Sequence, residues 1–252
     1  MRDVTGARGL VVVSPHLDDA VLSAGGIIAA TARRGGRVRV VTVFDGAPAV
    51  IGPDARAFHE ACGLGDDAMD VRRGEDDRAL ATLGASPERL GLREALYRTG
   101  TRGQPVYAGE PDIFCADPGR EPAIVGQVAE ALACALDGED SEDGEDELVL
   151  VPVGVGGHVD HVIVRRAAER DLRAGDRAWG YYEELPYLLF DRCKGWEDQL
   201  GTGRSTVVPL GAPDRRAKLA AAAEYRSQHR ILWIDPAPWP TQVPPAERIW
   251  WP

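Results

Sequence analysis

Cysteine is scarce: Cys62, Cys115, Cys134 and Cys193 are the only four in 252 residues, and no two are close together. That excludes a disulfide framework and a cysteine-type zinc site, and the four read as reduced and structural. Positive charge is also short. With 29 Lys and Arg against 40 Asp and Glu, the net charge is −11, which argues against a general binder of nucleic-acid phosphates. No apolar run is long enough to span a bilayer. The N-terminus lacks the long apolar core of a signal peptide, so a cytoplasmic location is expected. No Gly-x-Gly-x-x-Gly turn follows the first predicted strand, which removes the usual nicotinamide-binding signature. There is no internal repeat and no linker. Residues 1–252 are therefore expected to form a single domain, and 44% hydrophobic residues can supply one sizeable core.

What the chain does have is an apolar β-branched run, Val11-Val12-Val13, that stops at Ser14-Pro15 and opens into His16-Leu17-Asp18-Asp19. A buried strand ending in polar residues that begin a helix is where α/β proteins put their chemistry. His16 and Asp19 are three apart, so in a first helical turn they would share one face. An imidazole and a carboxylate so placed suit a divalent metal such as zinc.

The spacing predicts strands over 9–14 and 38–44 flanking a helix over 22–32, a βαβ unit that favours a parallel sheet. Ala24, Gly25 and Gly26 would let that helix approach the sheet closely. A helix over 55–62, a short strand over 68–71 and a helix over 76–83 follow. Residues 86–121 are rich in Gly and Pro and read as a long excursion that covers a site or makes an interface. A helix over 122–136 leads to the acidic run 137–147, read as a solvated surface loop because its residues do not follow the EF-hand spacing. A strand over 148–153 ends in Gly154-Val155-Gly156-Gly157 and then His158-Val159-Asp160-His161, with a helix over 162–172. Residues 179–183 form a later strand and 186–189 a short hydrophobic turn. Val207 to Leu210 is an edge strand, where Pro209 is tolerated. A helix spans 215–227, and the Pro- and Trp-rich tail after Leu232 is expected to pack on the surface.

Two parallel strands thus end in polar clusters on the same carboxyl edge. A catalytic zinc usually has three protein ligands and an open position; His161 is the natural third after His16 and Asp19. Asp18 is left free as general base, although Asp is also a good helix N-cap. His158, protonated, is the candidate to stabilise a developing oxyanion. Asp160 could orient His158 and keep it charged.

These two boxes, Pro15-His16-Leu17-Asp18-Asp19 and His158-Val159-Asp160-His161, resemble those of the PIG-L/LmbE-like family of zinc-dependent N-acetyl-sugar deacetylases. Asp45-Gly46 after strand two, Arg72 to Glu75 with Ala79 to Gly84, and Lys218 to Gln228 fit the same family. The resemblance implies a Rossmann-like three-layer α/β sandwich with a mostly parallel sheet. It implies His16, Asp19 and His161 as metal ligands, Asp18 as base and His158 as the transition-state group. It places Arg72 near the substrate, where the alternative is a salt bridge to Glu75. Glu94 stands where relatives often have an Asp that binds a sugar hydroxyl; Arg98 and His59 are lesser candidates. Ala20 replaces a common Glu, and Leu17 a common Pro.

The expected reaction is hydrolysis of an acetamide on an amino sugar or sugar conjugate, with Zn2+ as cofactor and Fe2+ as a substitute. The partner is a small N-acetylated molecule, with no nucleic acid and no membrane span, and a homo-oligomer stays open. One rival is a metal-dependent amidase on a cysteine-conjugate or natural-product amide. Another is a non-catalytic, metal-containing sugar- or nucleotide-binding protein, which Ala20 and Glu94 would favour. All of these require His16 and His161 to stand well within about a nanometre of each other, since zinc–ligand bonds are roughly 2 Å.

Overall fold

The expected apolar runs become the centre of one seven-stranded sheet. The computed structural model of the chain describes residues 3–115, 118–137, 147–189, 196, 200, 203–232 and 244–252. The strands are β1 (Gly9–Ser14), β2 (Arg37–Thr42), β3 (Ser86–Arg89), β4 (Glu147–Pro152), β5 (Ala178–Tyr182), β6 (Arg204–Pro209) and β7 (Ala246–Trp251). Their order is β3-β2-β1-β4-β5-β7-β6. β1 to β5 run parallel, while β7 pairs antiparallel with both β5 and β6.

Side chains alternate between the two faces of each strand, so each apolar run feeds two cores. Leu10, Val12, Val38, Val40, Leu148 and Leu150 pack under α1 (Asp19–Arg33), α3 (Ala68–Leu83) and α7 (Ala212–Ala222). Val11, Val13, Val41, Val149 and Val151 pack under α5 (Pro122–Leu136) and α6 (Val159–Leu172). The result is the expected three-layer α/β sandwich. The remaining helices, α2 (Pro53–Cys62), α4 (Gly109–Cys115) and α8 (His229–Leu232), lie in the connections at the carboxyl edge of the strands or beyond them.

Four expectations change. Residues 68–71 are the first turn of α3, not a strand. The buried positions of α3 (Ala68, Met69, Arg72, Glu75, Asp76, Ala79, Leu80 and Leu83) keep helical spacing, but three of them are charged, which hides the periodicity. The 86–121 excursion holds the edge strand β3, a 3-10 turn at Ala95–Tyr97 and α4. β3 reads Ser-Pro-Glu-Arg, an apolar-poor sequence that only an edge position tolerates. The tail beyond Leu232 returns as β7, with Ile249 fully buried, so β6 takes the sheet edge. Finally, two of the small residues of α1, Gly25 and Gly26, face neighbours other than the central strands. A Cβ on Gly25 would lie 3.1 Å from Lys218 Cγ, and one on Gly26 would clash with Leu210. The surface-loop expectation for 137–147, and residues 233–243 of the tail, fall largely outside the described residues.

Lys218 and Glu247 lock α1 in place. Lys218, fully buried, donates to Glu247 Oε1 at 2.7 Å and to Ser23 O at 3.3 Å. Glu247 also accepts from the amides of Gly26 and Ile27, each at 2.8 Å. Breaking a buried pair leaves one charge uncompensated, so Lys218→Met should destabilise the chain by about 3–5 kcal/mol. The Lys218→Met/Glu247→Gln double variant should recover much of that loss in denaturant unfolding; additive losses would deny the pairing.

Candidate metal centre and catalytic cavity

β1 and β4 are neighbours, and the chain leaves them toward opposite ends of the sheet. Their carboxyl ends flank the crevice where strand order reverses, the usual ligand site of an open α/β sheet. His16, Asp18 and Asp19 follow β1. Gly154 to Gly157, then His158, Asp160 and His161, follow β4. Gly154, Gly156 and Gly157 have φ of +86°, +78° and +69°, which side-chain-bearing residues rarely adopt. These turns bring the second box back over the end of β4.

His16 lies ahead of α1, not on its first turn. Asp19 Oδ2 accepts from the His16 amide at 2.9 Å and stands 3.1 Å from His16 Nδ1. A side-chain-closed turn, not a shared helix face, brings the pair together. His161 Nε2 stands 3.3 Å from the same Asp19 oxygen. The His16 and His161 ring centroids are 5.2 Å apart, well inside the expected limit. Donor atoms of His16, Asp19 and His161 all lie within 4.8 Å of one another.

The far side of each imidazole is held by a buried carboxylate. His16 Nε2 meets Asp160 Oδ2 at 3.0 Å, and His161 Nδ1 meets Glu184 Oε1 at 3.1 Å. With the proton on each of those nitrogens, His16 Nδ1 and His161 Nε2 keep their lone pairs facing Asp19. His161 Nε2 is buried and makes no hydrogen bond among the described residues. An orphaned imidazole nitrogen beside a carboxylate, backed by a second carboxylate, is the arrangement of metal-ligating histidines. The residues therefore fit a divalent cation held by His16, Asp19 and His161.

Glu184 escaped the sequence reading. It is fully buried just past β5 and accepts from the amides of Val153, Gly154 and Val155 at 3.1, 2.7 and 3.3 Å. The available signal was an acidic pair, Glu183-Glu184, at the end of an apolar strand. Asp160 serves differently from the expectation. Its carboxylate takes His16, the Ala95 amide at 2.8 Å and Arg98 at 2.6 Å. His158 instead accepts the Asp160 amide at Nδ1, 3.2 Å away. Burial, then the charges of His16 and His161, push the His158 pKa well below its usual range. With Nδ1 accepting that amide, the geometry leaves Nε2 to carry the ring's proton.

Asp18 stands at the N-cap of α1 but makes no capping bond. Burial and the Asp19 charge push its carboxyl up to about 6, against the pull of Arg72 and His16. Arg72 pairs with Glu94 at 3.4 Å, while Glu75 holds the Ser227 amide and hydroxyl at 2.9 and 2.6 Å. His59 is turned to Tyr97 at 2.7 Å. Asp18, Arg72, Glu94, His158 and Asp160 line a cavity of about 580 Å³ whose walls include Phe58, Leu96, Ile113, Phe114 and Ile231.

Residues 11–171 match the family model GlcNAc-PI de-N-acetylase, PIG-L. The chain belongs to that family. A 2'-N-acetylparomamine deacetylase from Niallia circulans is 30% identical over 242 residues, covering 88% of this chain and 81% of that protein. The Streptomyces fradiae protein of the same name is 32% identical over 206 residues, covering 81% and 66%. Among solved structures, the zinc-inhibited form of teicoplanin deacetylase aligns with a TM-score of 0.82 at 27% identity, covering 96% of both chains. A complex of deacetylase with teicoplanin gives 0.79 at 28% identity with the same coverage. As a PIG-L family member this chain is an amide-cleaving hydrolase, an N-deacetylase. No helix among the described residues is long and apolar enough to cross a membrane.

Second-sphere partners of metal ligands typically govern affinity by about 10–100-fold. Glu184→Gln, which keeps the shape but not the charge behind His161, should weaken zinc binding by about that factor in chelator competition. Unchanged affinity would mean that His161 is not a ligand.

Proposed function

We propose that this chain is a zinc-dependent deacetylase that hydrolyses the acetamide of an N-acetylated amino sugar carried on a larger small-molecule conjugate. The observation that carries the reading is the orphaned Nε2 of His161 facing Asp19, near an Asp18 that lines the cavity and makes no capping bond. The relatives' names support the acetamido sugar. Two name an N-acetylated paromamine, and a third names an inositol 2-acetamido-2-deoxyglucopyranoside. The cavity, about 580 Å³, is in the range of small-molecule sites.

His16, Asp19 and His161 would hold the zinc, with iron(II) a chemically reasonable substitute. Such a cation polarises an acyl oxygen and makes water more acidic. Asp18 accepts a proton as water adds to the carbonyl carbon. His158, whose Nδ1 is occupied by the Asp160 amide, directs Nε2–H at the acyl oxygen as that oxygen gains charge. The proton held by Asp18 then passes to the nitrogen, the C–N bond breaks, and acetate and a free amine leave. Arg72 and Glu94, on one wall, bind sugar hydroxyls and orient the ring.

Asp18→Asn keeps the side-chain shape and removes the proton acceptor. It should lower acetate release from N-acetylglucosamine conjugates by about 10²–10⁴-fold with full metal content retained. Loss of metal in that variant would mean that Asp18, not Asp19, is the ligand. Release from N-acetylcysteine conjugates but not from amino sugars would transfer the activity to the amidase reading.

A further inference from the structure

Arg98 lies on the 86–121 excursion and does not line the catalytic cavity, whereas Asp160 does. Its guanidinium is buried, with 7% of the residue exposed. Nη1 donates to Asp160 Oδ1 at 2.6 Å and to Arg93 O at 3.0 Å, and Nε donates to Glu121 Oε2 at 2.8 Å. The plane rests over the rings of Phe44 and Tyr107, 5.3 Å from each centroid. Asp160, with no exposed surface, turns its other oxygen to His16 Nε2 and the Ala95 amide. A continuous chain of charge-assisted bonds therefore runs from half-buried Glu121 through Arg98 and Asp160 to His16.

We propose that Arg98 is a positioning residue for the metal centre, acting through Asp160 to fix the orientation and tautomer of His16. This rests on the metal-site reading above. Arg98 is the one guanidinium or ammonium bonded to Asp160 among the described residues. A fully buried carboxylate stripped of that partner turns toward another donor. That movement withdraws the acceptor at His16 Nε2. The imidazole then loses the constraint that keeps its Nδ1 lone pair facing Asp19. Lysine could restore a charge but not the fork that meets Asp160 and Glu121 together. The excursion thus does more than wall the cavity: it supplies the Ala95 amide, Arg98 and Glu121, all of which bear on one ligand. Asp45 pins its start, accepting the Gly91 amide at 2.7 Å.

The test is zinc affinity of the full chain by competition with a chromophoric chelator, with the cobalt(II) absorption spectrum as a second reading of the ligand field. Arg98→Met should bind zinc about 10–100-fold more weakly and shift the cobalt bands. Arg98→Lys should fall between it and the unaltered chain. Glu121→Gln, at the outer end, should weaken zinc binding by about threefold, a fraction of the usual second-sphere effect. On an Asp160→Asn background, neither Arg98→Met nor Glu121→Gln should cost further affinity, since both act through that carboxylate. A purely structural ion pair would lower unfolding stability and leave the affinity alone. A folded Arg98→Met protein that binds zinc within about twofold of the unaltered chain overturns the proposal, as does a loss that persists on the Asp160→Asn background. If Arg98→Met fails to fold, Glu121→Gln on both backgrounds decides by the same criterion. An unaltered chain that takes up neither zinc nor cobalt overturns the metal centre and this proposal together. Normal uptake with unchanged variants overturns only the role of Arg98.

Discussion

A buried carboxylate behind each imidazole is the constraint around which this structure is arranged. Asp160 fixes His16 through Nε2, and Glu184 fixes His161 through Nδ1. The two rings therefore offer opposite nitrogens to one point, and Asp19 meets both. Such carboxylates are expensive. Moving an ion out of water costs several kcal/mol even after relaxation, and the cost is offset only when its lone pairs are filled. Much of the backbone around the site serves that end. Three consecutive amides at the end of β4 turn toward Glu184, which needs the left-handed Gly154. The Ala95 amide is carried to Asp160 by the 86–121 excursion. The glycine-rich turn after β4 is thus explained by anion solvation as much as by chain reversal.

The same economy reaches the second layer of helices. α3 turns a charged face inward because Arg72 must reach the cavity and Glu75 must hold Ser227. Asp76 on that face accepts from Tyr225 at 2.7 Å and from Arg89 at 2.9 Å. α3 is therefore joined to the segment after α7 by polar contacts, and to α7 itself through Leu80, Leu83 and Ala221. α1, which carries Asp19, is held from its far side by Glu247 and Lys218. An antiparallel strand added late in the chain thereby steadies the helix that opens the candidate metal centre.

What the sequence disclosed follows from this division. His16, Asp19 and His161 stood out because each box follows an apolar β-branched run, and β1 and β4 are laid side by side by a rule of parallel sheets. The carboxylates that hold the rings were harder to read. Glu184 has no motif around it, and its contacts are with backbone amides that a residue string does not show. Asp160 was recognised as important, but its partner was misjudged. Spacing pointed to His158, two residues away, whereas the fold brought His16 and Arg98 from distant segments. The excursion was legible as a loop and illegible as a support, because Arg98, Ala95 and Glu121 acquire their meaning only when Asp160 lies beside them. β7 was missed because the sheet, not its own residues alone, makes it a strand.

Charge balance connects these pieces. Asp18, Asp19, Glu94 and Asp160 are buried at the cavity and Glu184 behind it, and among the described residues Arg72 and Arg98 are the guanidiniums paired with this group. Five carboxylates against two cations leave an excess of negative charge that a low-dielectric pocket does not tolerate unpaired. The same excess acts on the two imidazoles. Burial alone would lower His161, but Asp19 and Glu184 raise it to about 9. Burial likewise opposes the charge on His16, and Asp160 and Asp19 carry it well above its ordinary value. The cluster carries a deficit of positive charge that a divalent cation would fill, and Asp18 is the one of these five whose carboxylate has no hydrogen bond among the described residues.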